Sequence, residues 1–315
     1  MTEQDPNWER SLISKLATDA LAEQRRRRRW GIFFKLLTFA YVTIVLLLMV
    51  DWSSRAAFTG GKKHTAMVEL NGIIAPGADG SAEKINTALE AAFKDKGTQG
   101  VILRINSPGG SPVQAQTIYD EMRRLREKYP DIPLYAVVED ICASGGYFVA
   151  VGADRIYVGK ASIVGSIGVL MNGFGFTGLM DKLGVERRLI TAGKNKGMLD
   201  PFSPQREQDK EYIEAMMKDI HEQFISVVRE GRGKRLKETP DMFSGLIWTG
   251  EKSVELGLAD GYGSLDSVAR DVIKAEDIVD YTVKEGFAEK VAKRFGASVA
   301  SSLVDFAVRS LPVLR

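Results

Sequence analysis

Ser144 lies in the tetrapeptide Ala143–Gly146, where the serine is followed by two glycines. Glycines let the backbone turn sharply, so that the serine hydroxyl stays accessible and nearby amides can point at a bound carbonyl. A nucleophilic serine needs both features. The tetrapeptide also fits a closely packed helix N-terminus, and it differs from the Gly-x-Ser-x-Gly elbow of the α/β-hydrolases.

A second glycine-rich turn, Asn106–Ser111, follows the apolar run Val101–Ile105. A strand that ends in Pro-Gly-Gly leaves backbone amides free at the carboxyl edge of a sheet, where open α/β sheets bind ligands. Such amides could stabilise the oxyanion that forms when a serine attacks a carbonyl, an effect of about 2.7–4 kcal/mol per donor. An ordinary tight turn is the alternative interpretation.

A serine nucleophile needs a proton acceptor, and the chain has two histidines, His64 and His221, in unsuggestive settings. Lysine can serve when its amine is neutral, since burial lowers its reference pKa of about 10.4 by up to ~3–5 units. Ser–Lys pairs are an established variant of the catalytic triad. The segment Thr191–Phe202 offers Lys194 and Lys196, and the residues alone do not choose between them.

The overall composition excludes several functional classes. The 315 residues include 43 basic and 41 acidic side chains, for a net charge of +2. A nucleic-acid-binding protein normally has a clear basic surplus, so we expect no nucleic-acid partner. Cys142 is the only cysteine, which excludes an intramolecular disulfide and a cysteine-based zinc site. We expect no metal and no cofactor.

An apolar run over residues 32–50, with Lys35 as its only charge, reaches the roughly 20 residues that cross a bilayer. The cluster Arg25–Arg29 precedes it and should stay in the cytoplasm by the positive-inside rule. We therefore expect a cytoplasmic tail over 1–29, a transmembrane anchor over 30–52 and a linker over 53–63. A cleaved secretory signal, with a shorter apolar core, is the alternative.

From residue 64 onward, short apolar runs alternate with amphipathic ones, which predicts βαβ units and a mostly parallel sheet flanked by helices. The predicted strands are 66–70, 101–105, 134–138, 155–158 and 187–191, and the predicted helices are 81–93, 114–128, 204–230 and 265–275. An apolar stripe on the longest helix, with Met216 and Met217 in it, is interpreted as core. We expect one α/β domain over 64–282 and an amphipathic tail over 283–315, lying against a neighbouring protomer or the membrane surface.

Four blocks occur in an order that resembles the signal peptide peptidase A family: Asn106–Ser111, Ala143–Tyr147, Gly165–Val169 and Gly193–Phe202. The family pattern Gly-x-x-Lys, three residues, an acidic residue and Pro-Phe selects Lys196 as the general base. The resemblance makes Ser144 the nucleophile and Ser166 the residue that orients the lysine amine. It implies an oxyanion hole formed by Gly109 or Gly110 together with Gly145, and a Clp/crotonase-like fold.

The resemblance also implies an activity and a place in the cell. It predicts a membrane-anchored serine endopeptidase that degrades cleaved signal peptides and other hydrophobic polypeptides in the cell envelope. Together with the arginine cluster, it places the N-terminus in the cytoplasm, the single span in the inner (cytoplasmic) membrane and the peptidase domain outside, in the periplasm of a cell with two membranes. One set of blocks matches the single-domain form, which implies a homo-oligomeric ring of eight protomers. In such a ring, Ser144 of one subunit would meet Lys196 of the next.

Two alternatives from other functional classes stay open. A catalytically silent scaffold could assemble envelope proteins without cleaving them. A crotonase-type enzyme on the same fold could bind acyl-CoA and stabilise an enolate with paired amides. Because an external domain would not meet CoA, the acyl-CoA interpretation is the weaker of the two.

Overall fold

The computed structural model describes residues 8–49 and 62–284, which form two separate units. The first unit is a single helix, α1 (Trp8–Met49), and apolar side chains are exposed on all its sides between Trp30 and Ile44. Across both described ranges, no helix has the length and hydropathy needed to cross a membrane. Most of the predicted linker 53–63 and tail 283–315 lies outside the described residues.

Residues 62–284 form an α/β unit around an eight-stranded sheet. The order is β6-β5-β3-β2-β1-β8, with β4 beside β3 and β7 beside β4, and only the β5–β6 pair is antiparallel within this range. The prediction of a mostly parallel sheet flanked by helices is confirmed. The strands are β1 His64–Asn71, β2 Thr98–Ser107, β3 Leu134–Ala143, β4 Arg155–Val158, β5 Ile163–Gly165, β6 Ile247–Thr249, β7 Gly261–Tyr262 and β8 Ile278–Asp280.

Each of the four predicted helices has a counterpart in this unit. The sequence explains where the helix Pro112–Lys128 begins. Ser111 caps its N-terminus by accepting a hydrogen bond from the Gln114 N–H, and Pro112 occupies the first turn. The helices are α2 Ala82–Lys94, α3 Pro112–Lys128, α4 Gly145–Ala150, α5 Thr177–Leu183, α6 Glu207–Arg232, α7 Gly250–Glu255 and α8 Leu265–Ser267. A 3-10 turn follows α6 at Gly233–Arg235, and a π-helical turn follows α8 at Val268–Ile273.

The central strands are buried on both faces, as expected for a parallel sheet. One face of β1, β2 and β3 packs under α2, α3 and α4, with Leu70, Leu103 and Val138 in the core. The opposite face carries a smaller cluster that includes Ile102 and Val137. Because side chains alternate between faces along a strand, β2 and β3 are fixed from both sides. The carboxyl ends of these two strands are therefore firmly held.

Two sequence predictions fail in one region. Residues 187–191, predicted as a strand, are exposed and pair with no other strand in the described chain. The stripe on α6 is only partly core: Phe224 and Val228 are buried, but Met217 is half-buried and Met216 exposed. The reason is that only the second half of α6 packs on the core, so the apolar residues of its first half are at most half-buried in the described chain.

Candidate active site

Ser144 occupies the junction between β3 and α4, at the carboxyl edge of the sheet. Its backbone has φ 52° and ψ −124°, a conformation that costs a non-glycine residue about 1–3 kcal/mol. Two backbone hydrogen bonds hold it: the Ser144 N–H donates to Gly165 O (2.8 Å), and the Phe148 N–H donates to Ser144 O (3.0 Å). The residue is half-buried although every residue of α4 is buried. The fold thus holds a strained serine at an accessible turn.

The turn after β2 packs directly against Ser144. A Cβ added to Gly109 would lie 2.6 Å from Gly145 N and 2.8 Å from Ser144 Cβ, and one added to Gly145 would lie 3.3 Å from Gly110 N. Such approaches leave no room for a side chain at Gly109 and almost none at Gly145. The three glycines singled out from the sequence therefore lie together beside Ser144.

The amides of these glycines differ in their hydrogen bonding. The Gly109 N–H donates to Ser107 Oγ (3.1 Å). Gly145 begins α4, so its N–H has no acceptor within the helix. The bonds on either side of Gly110 run from the Ile74 N–H to Gly109 O (2.9 Å) and from the Ser111 N–H to Ile74 O (2.7 Å). Neither bond uses the Gly110 N–H, which leaves that amide and the Gly145 amide for a ligand.

Ser166 is the neighbour of Ser144 on the adjacent strand. The register of β3 and β5 pairs Ala143 with Gly165, so Gly165 O binds the Ser144 N–H and Ser166 follows directly. Ser166 also has a positive φ of 51°, and its N–H donates to Leu246 O (2.8 Å). Gly165 therefore places Ser166 close to Ser144, because its carbonyl binds the Ser144 N–H and Ser166 is the next residue in the chain.

Lys196 lies in a different setting. It belongs to residues 169–208, which we call the lysine segment and in which no residue is buried. Its backbone N–H donates to Gly193 O (3.1 Å) within a run of turns. Within residues 62–284 no hydrogen bond joins the Lys196 amine to the Ser144 hydroxyl. The structure of the single chain brings the two serines and three glycines together but does not add Lys196.

Neither histidine contacts Ser144 by a hydrogen bond among the described residues. His64 lies at the start of β1, at the opposite edge of the sheet, and its ring contacts Lys62 O (2.8 Å) and the Tyr281 hydroxyl (3.0 Å). His221 on α6 contacts Ile167 O (3.1 Å). In the same described ranges no group of three His, Cys, Asp or Glu side chains is close enough to bind a metal ion.

Two further residues shape the site: Trp248, which the sequence did not single out, and Asn106, the first residue of the predicted glycine-rich turn. The Trp248 ring on β6 packs on Gly165, where an added Cβ would lie 2.9 Å from Trp248 Cδ1. Asn106 Oδ1 accepts the Ile141 N–H (3.3 Å) where the register of β2 and β3 shifts. Cys142, next to this shift, is fully buried, and burial raises the pKa of its thiol. The cysteine is therefore a packed, uncharged residue rather than a second nucleophile.

Comparison with known proteins identifies relatives of several kinds. The model described as Peptidase family S49 matches residues 126–279. A Brucella abortus protein named Na(+)/H(+) antiporter NhaA is 44% identical over 218 residues, which cover 68% of this chain but only 30% of that protein. A Methanocaldococcus jannaschii protein named protease MJ0651 is 31% identical over 268 residues, 81% of this chain and 85% of that protein.

An Enterococcus faecium protein named signal peptide peptidase SppA is 31% identical over 231 residues, 71% of this chain and 67% of that protein. The family match contains Ser144, Ser166 and Lys196. Because two relatives named as peptidases align with this chain over two thirds or more of their own length, the chain belongs to peptidase family S49.

Proposed function

We propose that this chain is a membrane-anchored serine endopeptidase with Ser144 as nucleophile and Lys196 as general base. The observation that carries the proposal is the strained turn at Ser144, which holds the serine beside two backbone amides that have no hydrogen-bond acceptor among residues 62–284. Strained non-glycine residues cluster at functional sites. A serine on such a turn, in a chain of a peptidase family, is best explained as the residue that attacks a peptide carbonyl.

The Gly110 and Gly145 amides are proposed to form the oxyanion hole. Two N–H groups aimed at one position bind the charge that develops on the carbonyl oxygen. Gly109 is assigned a spacing role, since its own N–H donates to Ser107 Oγ and its missing side chain lets the turn approach Ser144. Ser166 is proposed to accept or donate a hydrogen bond that orients the Lys196 amine.

The proposed cycle transfers two protons through the Lys196 amine, first one from Ser144 and then one from water. The neutral Lys196 amine takes the Ser144 hydroxyl proton as Oγ bonds to the scissile carbonyl carbon. The resulting ammonium gives this proton to the departing amine as the C–N bond breaks, which leaves an acyl-serine. Water then gives a proton to the amine and attacks the acyl carbon, and the ammonium returns that proton to Ser144 Oγ as the ester bond breaks.

The lysine is proposed to come from a neighbouring copy in a homo-oligomeric ring, of eight protomers by the family resemblance. The support is the apolar surface of the lysine segment, where Leu170, Phe174 and Ile190 are 81%, 83% and 95% exposed. Large exposed apolar patches mark interaction sites. A neighbouring copy packed on this surface would also shield the Lys196 amine from water, as a lysine base requires.

Helix α1 is proposed to anchor the chain in the inner membrane, with the N-terminus in the cytoplasm and the peptidase domain outside. The support is the sequence run over 32–50, whose last residues lie beyond the described side chains, and the cluster Arg25–Arg29 before it. A helix apolar on all sides needs an apolar environment. Cleaved signal peptides and other extended hydrophobic polypeptides are the proposed substrates, since such chains would lie close to the anchor.

The test is hydrolysis of a fluorogenic hydrophobic peptide by the full chain in detergent. Ser144→Ala and Lys196→Ala should each lower the rate by at least about 10³-fold, as losses of a nucleophile and its base do. Lys194→Ala, on the same turn, is the matched control and should stay within about threefold of wild type. A wild-type oligomer that cleaves no peptide would favour the scaffold, and binding of acyl-CoA would favour the crotonase-type enzyme.

A further inference from the structure

The turn that carries Lys196 cannot owe its shape to the hydrophobic core, because the lysine segment has no buried residue. A general base, however, must lie within hydrogen-bonding reach of the proton that it takes. A displacement of about 1 Å can cost 10²-fold in rate. Within the single chain, the turn at residues 193–200 therefore depends on contacts inside the segment itself.

Asp200 is the residue at which this turn is tied down. Its side chain is only 12% exposed, in a segment in which no residue as a whole is buried. The carboxylate accepts hydrogen bonds from Ser203 Oγ (2.6 Å) and Arg187 Nε (3.2 Å). The Asp200 N–H donates to the carbonyl of Gly197 (3.3 Å), the residue after Lys196. Asp200 thus connects the turn to two other parts of the segment.

Arg187, the partner of Asp200, is itself held by aromatic rings. Its guanidinium lies 5.9 Å from the centre of the Phe202 ring, and Phe202 stacks on Phe176 at 5.4 Å. The Phe176 N–H donates to Pro201 O (2.7 Å). These contacts connect the start, middle and end of the segment on either side of the lysine turn. We call the connected residues, Phe176, Arg187, Asp200 and Phe202, the clip.

We propose that Asp200, held by Arg187, is a positioning residue that fixes the Lys196 turn for catalysis. The inference rests on the proposed function, because it gives a role to a residue only if Lys196 is the base. The inference goes beyond that function because it assigns two roles within the lysine segment. Lys196 transfers the proton, while the ion pair and the aromatic stack fix the direction of the amine.

The charge of Asp200 is secure over the working range of pH. The hydrogen bond from Ser203, and then the Arg187 guanidinium, hold the pKa of this carboxyl below its ordinary value. Asp200→Asn therefore removes a charge that is present at neutral pH, while it keeps the shape of the side chain. Arg187→Gln removes the partner charge.

The experiment compares these two variants with a matched control in the full-length oligomer. Arg188→Gln breaks the neighbouring Arg188–Glu186 pair, which is open to solvent and lies outside the clip. Hydrolysis of the fluorogenic peptide is measured as kcat and KM separately, with thermal unfolding and oligomer size recorded for each protein. We expect Asp200→Asn and Arg187→Gln to lower kcat by about 10–100-fold, with KM and oligomer size unchanged and the control at the wild-type level.

Two further variants separate positioning from a general structural role. Arg187→Lys keeps the charge and should recover most of kcat. The double variant Arg187→Gln/Asp200→Asn should be no slower than either single variant, because both remove one interaction. Additive losses, or losses that follow oligomer size, would overturn the proposal.

The two possible failures are distinguishable. If Lys196→Ala is inactive while Asp200→Asn and Arg187→Gln keep kcat within about twofold of wild type, the positioning role falls and the proposed function stands. If Lys196→Ala retains full activity, the proposed base is wrong and the positioning role falls with it.

Discussion

The two residues of the proposed dyad lie in regions built in opposite ways. Ser144 is held at the end of a strand buried on both faces, with a fully buried helix behind it. Lys196 lies in a segment without a buried residue, whose distant parts are connected by an ion pair and an aromatic stack. A serine under backbone strain needs a stiff core to hold it. A base on an exposed apolar segment instead needs something outside its own chain to complete its surroundings.

This contrast is consistent with our proposal that one chain holds only part of the active site. The edge of the sheet with Ser144, Ser166, Gly109, Gly110 and Gly145, which we call the serine edge, is complete within one chain. The lysine segment exposes apolar side chains that a soluble domain would normally bury. The active site is therefore proposed to be a product of assembly.

The largest effect is expected from mixing two inactive proteins. Ser144→Ala keeps an intact lysine segment, and Lys196→Ala keeps an intact serine edge, so a mixed oligomer can combine the two intact parts. We expect activity to appear on mixing where each variant alone has none, measured by peptide hydrolysis after subunit exchange. Two different affinity tags verify the mixing. If verified mixed oligomers stay inactive, both residues act within one subunit.

A second effect tests how closely the serine edge is packed. Gly109→Ala would place a methyl group 2.6 Å from Gly145 N and 2.8 Å from Ser144 Cβ. The strained turn at Ser144 cannot make room for this methyl group without displacing the serine and the Gly145 amide. We therefore expect the rate of peptide hydrolysis to fall by about 10²-fold or more. Gly261→Ala, where the nearest atoms are 3.9 Å away, serves as the control and should retain wild-type activity. Equal activity of the two variants would refute the close packing.

A third prediction separates the two regions by stability. Arg232 on α6 is 1% exposed and donates to Asp260 (2.8 Å) and to Gly257 O (2.8 Å). Breaking such a buried pair typically costs about 3–5 kcal/mol, so Arg232→Ala should lower Tm by roughly 10 °C. Arg187→Gln in the lysine segment should lower Tm by less than about 2 °C, because the Arg187–Asp200 ion pair is partly open to solvent. Comparable losses in Tm would contradict the contrast between the regions.

The smallest effect concerns pH. Burial would raise the pKa of Asp260, but the hydrogen bond and charge of Arg232, with the Ile156 N–H, outweigh it and keep the pKa below its ordinary value. The stabilisation is therefore present above the unfolded value of about 3.9 and is lost as the pH falls through the folded value. The difference in Tm between wild type and Asp260→Asn should narrow as the pH is lowered from about 6 to about 3. A difference that widens would show the opposite sign.

Sequence reasoning located the serine edge because it depends on local rules. Parallel strands end at one edge, so the turns after β2 and β3 had to meet, and Gly109, Gly110 and Gly145 were found beside Ser144. Trp248 was not predicted as a site residue, because it contacts Gly165 from an antiparallel strand far along the chain. A short antiparallel edge strand has no distinctive pattern.

The lysine segment was harder to predict for a physical reason. Residues 187–191 have the composition of a strand, and Met216 has the spacing of a core residue, yet both are exposed in the chain. Apolar patterns report that a side chain needs a partner, but not whether that partner is in the same chain. The spacing of the family pattern within residues 193–202, rather than any pattern of hydrophobicity, selected Lys196 over Lys194.

Covalent labelling of Ser144 by a fluorophosphonate, followed over time by intact mass and peptide mapping, tests the proposed dyad most directly. Labelling consumes the same serine nucleophile and depends on the same base as peptide cleavage, but it needs no knowledge of the substrate. We predict one label per reactive chain, on Ser144, with a rate that falls by at least about 10²-fold in Lys196→Ala and is unchanged in Lys194→Ala. Labelling at another serine, or labelling of Ser144 at the wild-type rate without Lys196, would contradict the dyad.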